Sequence, residues 1–142
     1  MQIFGAMSEQ IKQFPIRVYY EDTDAGGIVY YANYLKFFER ARTEFLRSLG
    51  VEQQSFLKQN LGFVVRRVEM DNIASAKLDD LLTVTTEISE LKKASLSFTQ
   101  SISNQNNQLL CQAKVLVACV NLARSRPCAI PPVILGAFNR AR

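Results

Sequence analysis

The sequence predicts an α+β fold in which an antiparallel β-sheet wraps around one long α-helix, and three observations predict it. From position 34 onward apolar residues fall at 34, 37, 38, 41, 45 and 49, the i, i+3, i+4, i+7 spacing of a helix face. Later in the chain three segments alternate apolar and polar residues, the period of strands with one buried face. The joins between those segments are four residues or so long, and joins that short force antiparallel neighbours. One apolar helix face and several one-sided strands bury each other when the sheet curls around the helix.

Taken in order, Phe14, Ile16, Val18 and Tyr20 alternate with Pro15, Arg17 and Tyr19, which predicts a strand. The long helix follows, its stripe widened by Leu35 and Leu46, with Lys36, Glu39, Arg40, Thr43, Glu44 and Arg47 on the other side. Asn33 is the expected N-cap and Gly50 the expected residue just past the C-terminus. At 1.5 Å per residue this helix spans roughly 25 Å, enough to cross a small domain. Glu39, Arg40, Arg42, Glu44 and Arg47 are expected in i, i+3 and i, i+4 pairs or in subunit contacts. Residues 51–60 carry a weaker helical pattern (Val51, Phe56, Leu57), and 61–70, LGFVVRRVEM, reads as a second strand. A less regular stretch, 71–80, leads to the three alternating segments.

In the first of these Leu82, Val84, Thr86 and Ile88 share a face; in the second Leu96, Phe98 and Ile102 do. Leu109, Cys111, Ala113, Val115, Val117 and Cys119 form the third apolar row. Leu91-Lys92-Lys93-Ala94 and Asn104-Gln105-Asn106-Asn107 are the joins, the latter a strong hairpin turn. The expected order is strand, helix, then four strands in antiparallel hairpins. RSRPCAIPP breaks the sheet pattern, and 133–141 are expected to form a short helix after Pro132. The 142 residues are expected to make a single domain, 1–142, with 1–12 flexible and 124–142 a C-terminal tail.

Composition narrows the function. The chain is 48% apolar and 21% charged, an ordinary soluble mixture, and its net charge of +4 suits a phosphate-bearing ligand without demanding nucleic acid. No aromatic-interleaved basic stripe occurs, no run approaches the ~18–20 apolar residues of a membrane span, and the start has no basic, apolar leader. The three cysteines form no C-x-x-C, which points to a reducing compartment, the cytoplasm, and argues against zinc. There are no histidines at all. That removes Ser-His-Asp and Cys-His triads, HExxH metal sites and any hydratase with an imidazole base. The chemistry must come from carboxylates, backbone dipoles, lysines, tyrosines or hydroxyls, and no cofactor is expected.

Residues 20–50 concentrate what remains. Glu21-Asp22-Thr23-Asp24 runs into Ala25-Gly26-Gly27 and then to the helix. A carboxylate-bearing glycine loop delivered to a helix N-terminus is a site-like arrangement, because that end presents unpaired N–H groups and a positive dipole. The same turn also serves simply to join a strand to a helix, with acids favoured by turn chemistry.

The stretch VYYEDTDAGGIVYYANYLKFFERARTEFLRSLG resembles the hot-dog-fold acyl-CoA thioesterases of the 4-hydroxybenzoyl-CoA thioesterase class. FVVRRVEM, AKLDDLLTVTTEI, SLSFTQ and the strand before RPCAIPP carry the likeness over nearly the whole chain, most nearly to the branch associated with the bacterial Tol-Pal system. The resemblance implies that Asp24 is the catalytic carboxylate and that the backbone N–H near Tyr31 polarises the thioester carbonyl. It implies that Gly26 and Gly27 border the substrate and that Lys92 and Lys93 meet the nucleotide phosphates of CoA. It also implies acyl-CoA, or an acyl carrier protein, as the partner, and a homodimer or homotetramer with sites between subunits. One departure stands out: that branch usually has histidine where this chain has Tyr31, while the hydroxybenzoyl-CoA enzyme has tyrosine there.

Thioester hydrolysis is compatible with the missing imidazole. A thiol with a pKa of about 8.5 leaves with little protonation, so a dedicated general acid matters less than for an amide. Asp24 is expected to act as nucleophile or as general base, the two routes remaining open, and Asp22 and Glu21 to hold the loop. Tyr30 and Tyr31 are expected as packing or pocket walls. The alternative is a non-catalytic adaptor on the same scaffold, holding an acyl carrier or an envelope-related partner.

Overall fold

The structure, a computed structural model, describes residues 11–142. Residues 1–10 of the expected flexible segment lie outside the described residues; of the rest, Ile11 donates to Ser48 Oγ (3.0 Å) and the Lys12 carbonyl accepts from Thr86 N–H (2.7 Å). Strand β1 spans Gln13–Arg17, helix α1 Asn33–Ser48, and a short helix α2 Gln53–Lys58. Strands β2 (Leu61–Asn72), β3 (Leu81–Leu91), β4 (Ser95–Ser103) and β5 (Leu109–Asn121) follow, then a two-residue strand β6 (Arg126–Pro127) and helix α3 (Pro132–Ala141).

The sheet runs β1-β3-β4-β5-β2, every pair antiparallel. The hairpins expected between β3, β4 and β5 are present, the second closed by Asn104 Oδ1 accepting from the N–H groups of Asn106 and Gln108 (2.9 and 3.0 Å). Strand β2 departs from the expectation, since it pairs with β5 rather than with its successor β3. The irregular connection after Asn72 carries the chain from the β2 edge across to β3, beside the opposite edge strand β1. RSRPCAIPP also departs: Arg126 and Pro127 pair with Asn121 and Val120 and extend the sheet instead of ending it.

Helix α1 forms because its apolar period is met by the inner face of the curled sheet. Tyr34, Phe37, Phe38, Ala41, Phe45 and Leu46 are buried, as are Leu82, Val84, Thr86 and Ile88 opposite. Leu35 is 41% exposed and falls outside the stripe. The Phe45 and Phe98 rings meet edge to face, 6.3 Å between centroids. Gly50, at φ +86°, receives the helix end: its N–H bonds the Arg47 carbonyl and Val51 N–H bonds Leu46, both at 3.0 Å. That pair of bonds satisfies two carbonyls the helix leaves open, at a backbone angle glycine adopts without strain. Glu44 and Arg47 form the expected i, i+3 pair. Arg42 instead donates to Gln100 Oε1 (3.0 Å), whose amide nitrogen donates to the Phe38 carbonyl and to Thr86 Oγ1, so a buried polar bridge ties helix to sheet.

Two features of this frame bear on function. The long edge strand β2 exposes Val64, Val65 and Val68, while the other edge, β1, is short and carries Pro15. And the N-terminus of α1 emerges at the end of the sheet where β2 finishes and β3 begins. Among the described residues no helix is long and apolar enough to cross a membrane.

Candidate active site

The site is built from the link between β1 and α1. Past Arg17 the chain stays on the sheet through Val18, whose N–H and carbonyl bond Asp80 and Asp79 (2.9 and 3.0 Å). A single 3-10 turn, Tyr20–Asp22, then reverses direction. Asp24 opens a tight turn in which its N–H bonds the Ile28 carbonyl (2.9 Å) and its carbonyl accepts from Gly27 N–H (3.0 Å). Gly27 sits at φ +78°, the left-handed region where a side chain is strained. Bridges from Thr23 to Val29 and from Ile28 to Lys77 fasten the turn to the segment before β3.

The Asp24 carboxylate is held by one bond, Gly26 N–H to Oδ1 at 2.8 Å. A Cβ on Gly26 would lie 3.3 Å from that same oxygen, so glycine here allows the close approach. No described residue donates to Oδ2. Six residues on, Tyr30 N–H bonds the Asp22 carbonyl (3.2 Å) and Asn33 N–H bonds the Tyr30 carbonyl (2.8 Å). Among the described residues nothing accepts the N–H of Tyr31 or of Ala32, the two donors immediately ahead of α1. Such donors at a helix tip attract negative charge, helped by a dipole equivalent to about half a positive charge.

Asp24, Tyr31, Tyr34, Val29, Asn72 and Ile73 line one cavity of about 370 Å³. Tyr34 is 2% exposed, and its oxygen accepts from Ala76 N–H at 2.9 Å. Burial pushes the Tyr34 phenol above the ordinary tyrosine range, so it keeps its proton at neutral pH. The rings of Tyr30 and Tyr31 are exposed and lie 5.0 Å apart, as walls of the opening. A carboxylate with an uncommitted oxygen, unpaired N–H groups and largely apolar walls can add a nucleophile to a carbonyl and hold the oxyanion that results.

Two of the three cysteines are unsuited as nucleophiles. Burial pushes the Cys111 thiol up to about 11 and the Cys119 thiol up to about 12, so neither is a thiolate at neutral pH. Among the described residues no three metal-ligating side chains come together.

Of the residues singled out by sequence, Asp24, Gly26, Gly27 and Tyr31 stand together. Both glycines shape the turn and Gly26 holds the carboxylate, and neither lines the cavity. Lys92 and Lys93 are exposed in the β3–β4 join, at the opposite end of β3 from the Asp24 turn. The eleven residues of β3, at most about 35 Å of strand, run between the two places. Asn33 is not an N-cap; Ala32 occupies that position, and the Asn33 side chain donates to Asp22 Oδ1 at 2.7 Å. A buried carboxylate is the stronger acceptor and draws the amide away from the helix end. Tyr34 and the wall from Asn72 to Ser75 are additions that only the tertiary structure reveals.

Comparison with known proteins shows the family. Residues 18–138 match the family model described as the thioesterase-like superfamily. The chain is 52% identical over 130 residues to the Haemophilus influenzae protein named acyl-CoA thioesterase YbgC, covering 91% of this chain and 95% of that one. It is 46% identical over 134 residues to the acyl-CoA thioester hydrolase YbgC of Escherichia coli O157:H7, covering 94% of this chain and 100% of that one. A probable thioesterase from Bartonella henselae, solved by crystallography, superposes with a TM-score of 0.79 at 40% identity, over 84% of this chain and 98% of its own.

Proposed function

The chain belongs to the thioesterase-like superfamily and is a thioester hydrolase with the hot-dog fold, and from that premise we propose that it hydrolyses acyl-CoA to the free acid and CoA at Asp24. One observation carries the reading: Asp24, whose Oδ2 accepts no bond from a described residue, and Tyr31, whose N–H meets no described acceptor, line one cavity. The thioester carbonyl lies with its oxygen at the helix tip, where each well-placed donor is worth about 3–4 kcal/mol to the transition state. Asp24 then attacks the carbonyl carbon to form an anhydride, or removes a proton from a water that attacks. In either route the C–S bond breaks, the electron pair leaves on sulfur, and water supplies the oxygen and proton that complete the acid and the thiol. These steps draw on the backbone N–H at position 31 and not on its side chain, so they stand with tyrosine in place of histidine.

Lys92 and Lys93 bind the nucleotide phosphates of CoA, and because they stand far from Asp24 of their own chain they serve the site of a second copy. Pairing of two copies through the open β2 edge, in a dimer or a tetramer of such dimers, would cover Val64, Val65 and Val68 as well. Acyl carrier protein is a second possible carrier of the acyl group, and the setting proposed is the cytoplasm.

Thiol release from a panel of acyl-CoA thioesters, followed with a thiol reagent, tests the activity directly. Turnover of at least one thioester is expected; none, together with tight binding of an acyl carrier, would replace the enzyme by an adaptor. Replacing both lysines by alanine is expected to raise KM for CoA thioesters about tenfold with kcat nearly unchanged, since the phosphates stay bound alike in ground and transition states. A fall in kcat alone would contradict the phosphate assignment.

A further inference from the structure

Asp22 is the most deeply buried carboxylate of the loop, 5% exposed, and it forms no ion pair among the described residues. Such a group costs stability unless donors converge on it. Two do: Tyr19 N–H reaches Oδ2 at 2.8 Å and Asn33 Nδ2 reaches Oδ1 at 2.7 Å. Its backbone is engaged too, with its N–H on the Tyr19 carbonyl (3.0 Å) and its carbonyl accepting from Tyr30 N–H (3.2 Å). One residue therefore binds the end of the β1 segment, the N–H of Tyr30 just ahead of Tyr31, and the first residue of α1. Asp24 is two positions away on the same backbone.

Resting on the reading of Asp24 and the helix tip given above, we propose that Asp22 and Asn33 form a positioning latch that fixes the distance between the reactive carboxylate and the N–H of Tyr31. Neither touches the substrate. The Asp22–Asn33 bond spans eleven residues of chain and closes the loop that carries both reacting groups. Without it the turn is still tied to the segment before β3, so the fold survives while the carboxylate drifts relative to the oxyanion donors. A drift of about 1 Å costs as much as 10²-fold in rate.

The latch predicts an asymmetric pattern of substitutions. Asn33→Asp sets two carboxylates against each other and is expected to lower kcat about tenfold or more, with KM within about twofold. Asp22→Asn alone is expected to stay within about threefold of the parent, because the Asn33 amide can turn its oxygen toward the new N–H group. The double variant Asp22→Asn with Asn33→Asp restores one donor facing one acceptor and is expected to recover kcat to within about threefold. A pair that merely supports the fold would show that loss and rescue in the melting temperature, with kcat of the folded protein unchanged.

Kinetics and thermal melts of the three variants, with Asp24→Asn in parallel, decide the matter. A folded double variant no faster than Asn33→Asp, or an Asn33→Asp protein with full kcat, overturns the latch. If Asn33→Asp does not fold, Asn33→Ala takes its place: loss of kcat at constant KM upholds the proposal, and unchanged kcat overturns it. Full activity of Asp24→Asn would instead remove the catalytic reading, a failure distinct from failed rescue in the swapped pair.

Discussion

Asp24→Asn is expected to lower kcat at least ~10²-fold, with KM and melting temperature close to those of the parent. The fold should not register the change. The Asp24 side chain is exposed, and its one bond from a described residue, from Gly26 N–H, is accepted equally well by an amide oxygen. What the amide lacks is a lone pair basic enough to activate water or to attack carbon. The N–H groups of Tyr31 and Ala32 remain, so some hydrolysis above the uncatalysed rate should persist through oxyanion stabilisation alone. Thiol-release kinetics beside a thermal melt check this, and near-normal turnover by the folded variant would remove Asp24 from the reaction.

Phe45→Ala is expected to have the largest effect on stability, a loss of about 3–5 kcal/mol. The ring is fully buried on the inward face of α1 and meets Phe98 edge to face, so truncation leaves a cavity between helix and sheet. Against a total stability of about 5–15 kcal/mol, that loss takes the protein close to its unfolding threshold. Leu35→Ala on the same helix is expected to cost about 0.5 kcal/mol or less, because 41% of that side chain already faces solvent. Urea unfolding of the two variants checks both figures. Equal losses would mean that the sheet does not grip the helix by the face described.

Those two residues show what the sequence could reveal. Periodicity marks Phe45 and Leu35 as one stripe, because it records spacing and not the shape of what lies opposite. At the first turn of α1 the sheet does not reach the Leu35 flank, and no local pattern says so. Hairpins joined by four or so residues were legible because the constraint is local, whereas the pairing of β2 with β5 depends on a partner far along the chain. The Asp24-Ala25-Gly26-Gly27 turn and the helix after it were legible as a unit, and the likeness to a known family supplied the role of Asp24. The cap expected at Asn33 is absent because its side chain bonds Asp22, eleven residues back and buried, a partner no local pattern shows. Tyr34 counts as apolar in any periodic pattern, so its hydroxyl and its place in the cavity wall left no trace there. Lys92 and Lys93 lie beyond the far end of β3 from the Asp24 turn, a separation that no local pattern reports.

The placement of the thioester between carboxylate and helix tip is tested most directly by a crystal structure with a non-hydrolysable ketone analogue of an acyl-CoA. The account predicts the analogue's carbonyl oxygen within hydrogen-bond distance of Tyr31 N–H and its carbonyl carbon facing Asp24 Oδ2, directly or across one water. An analogue bound with that carbonyl turned away from both groups would contradict it.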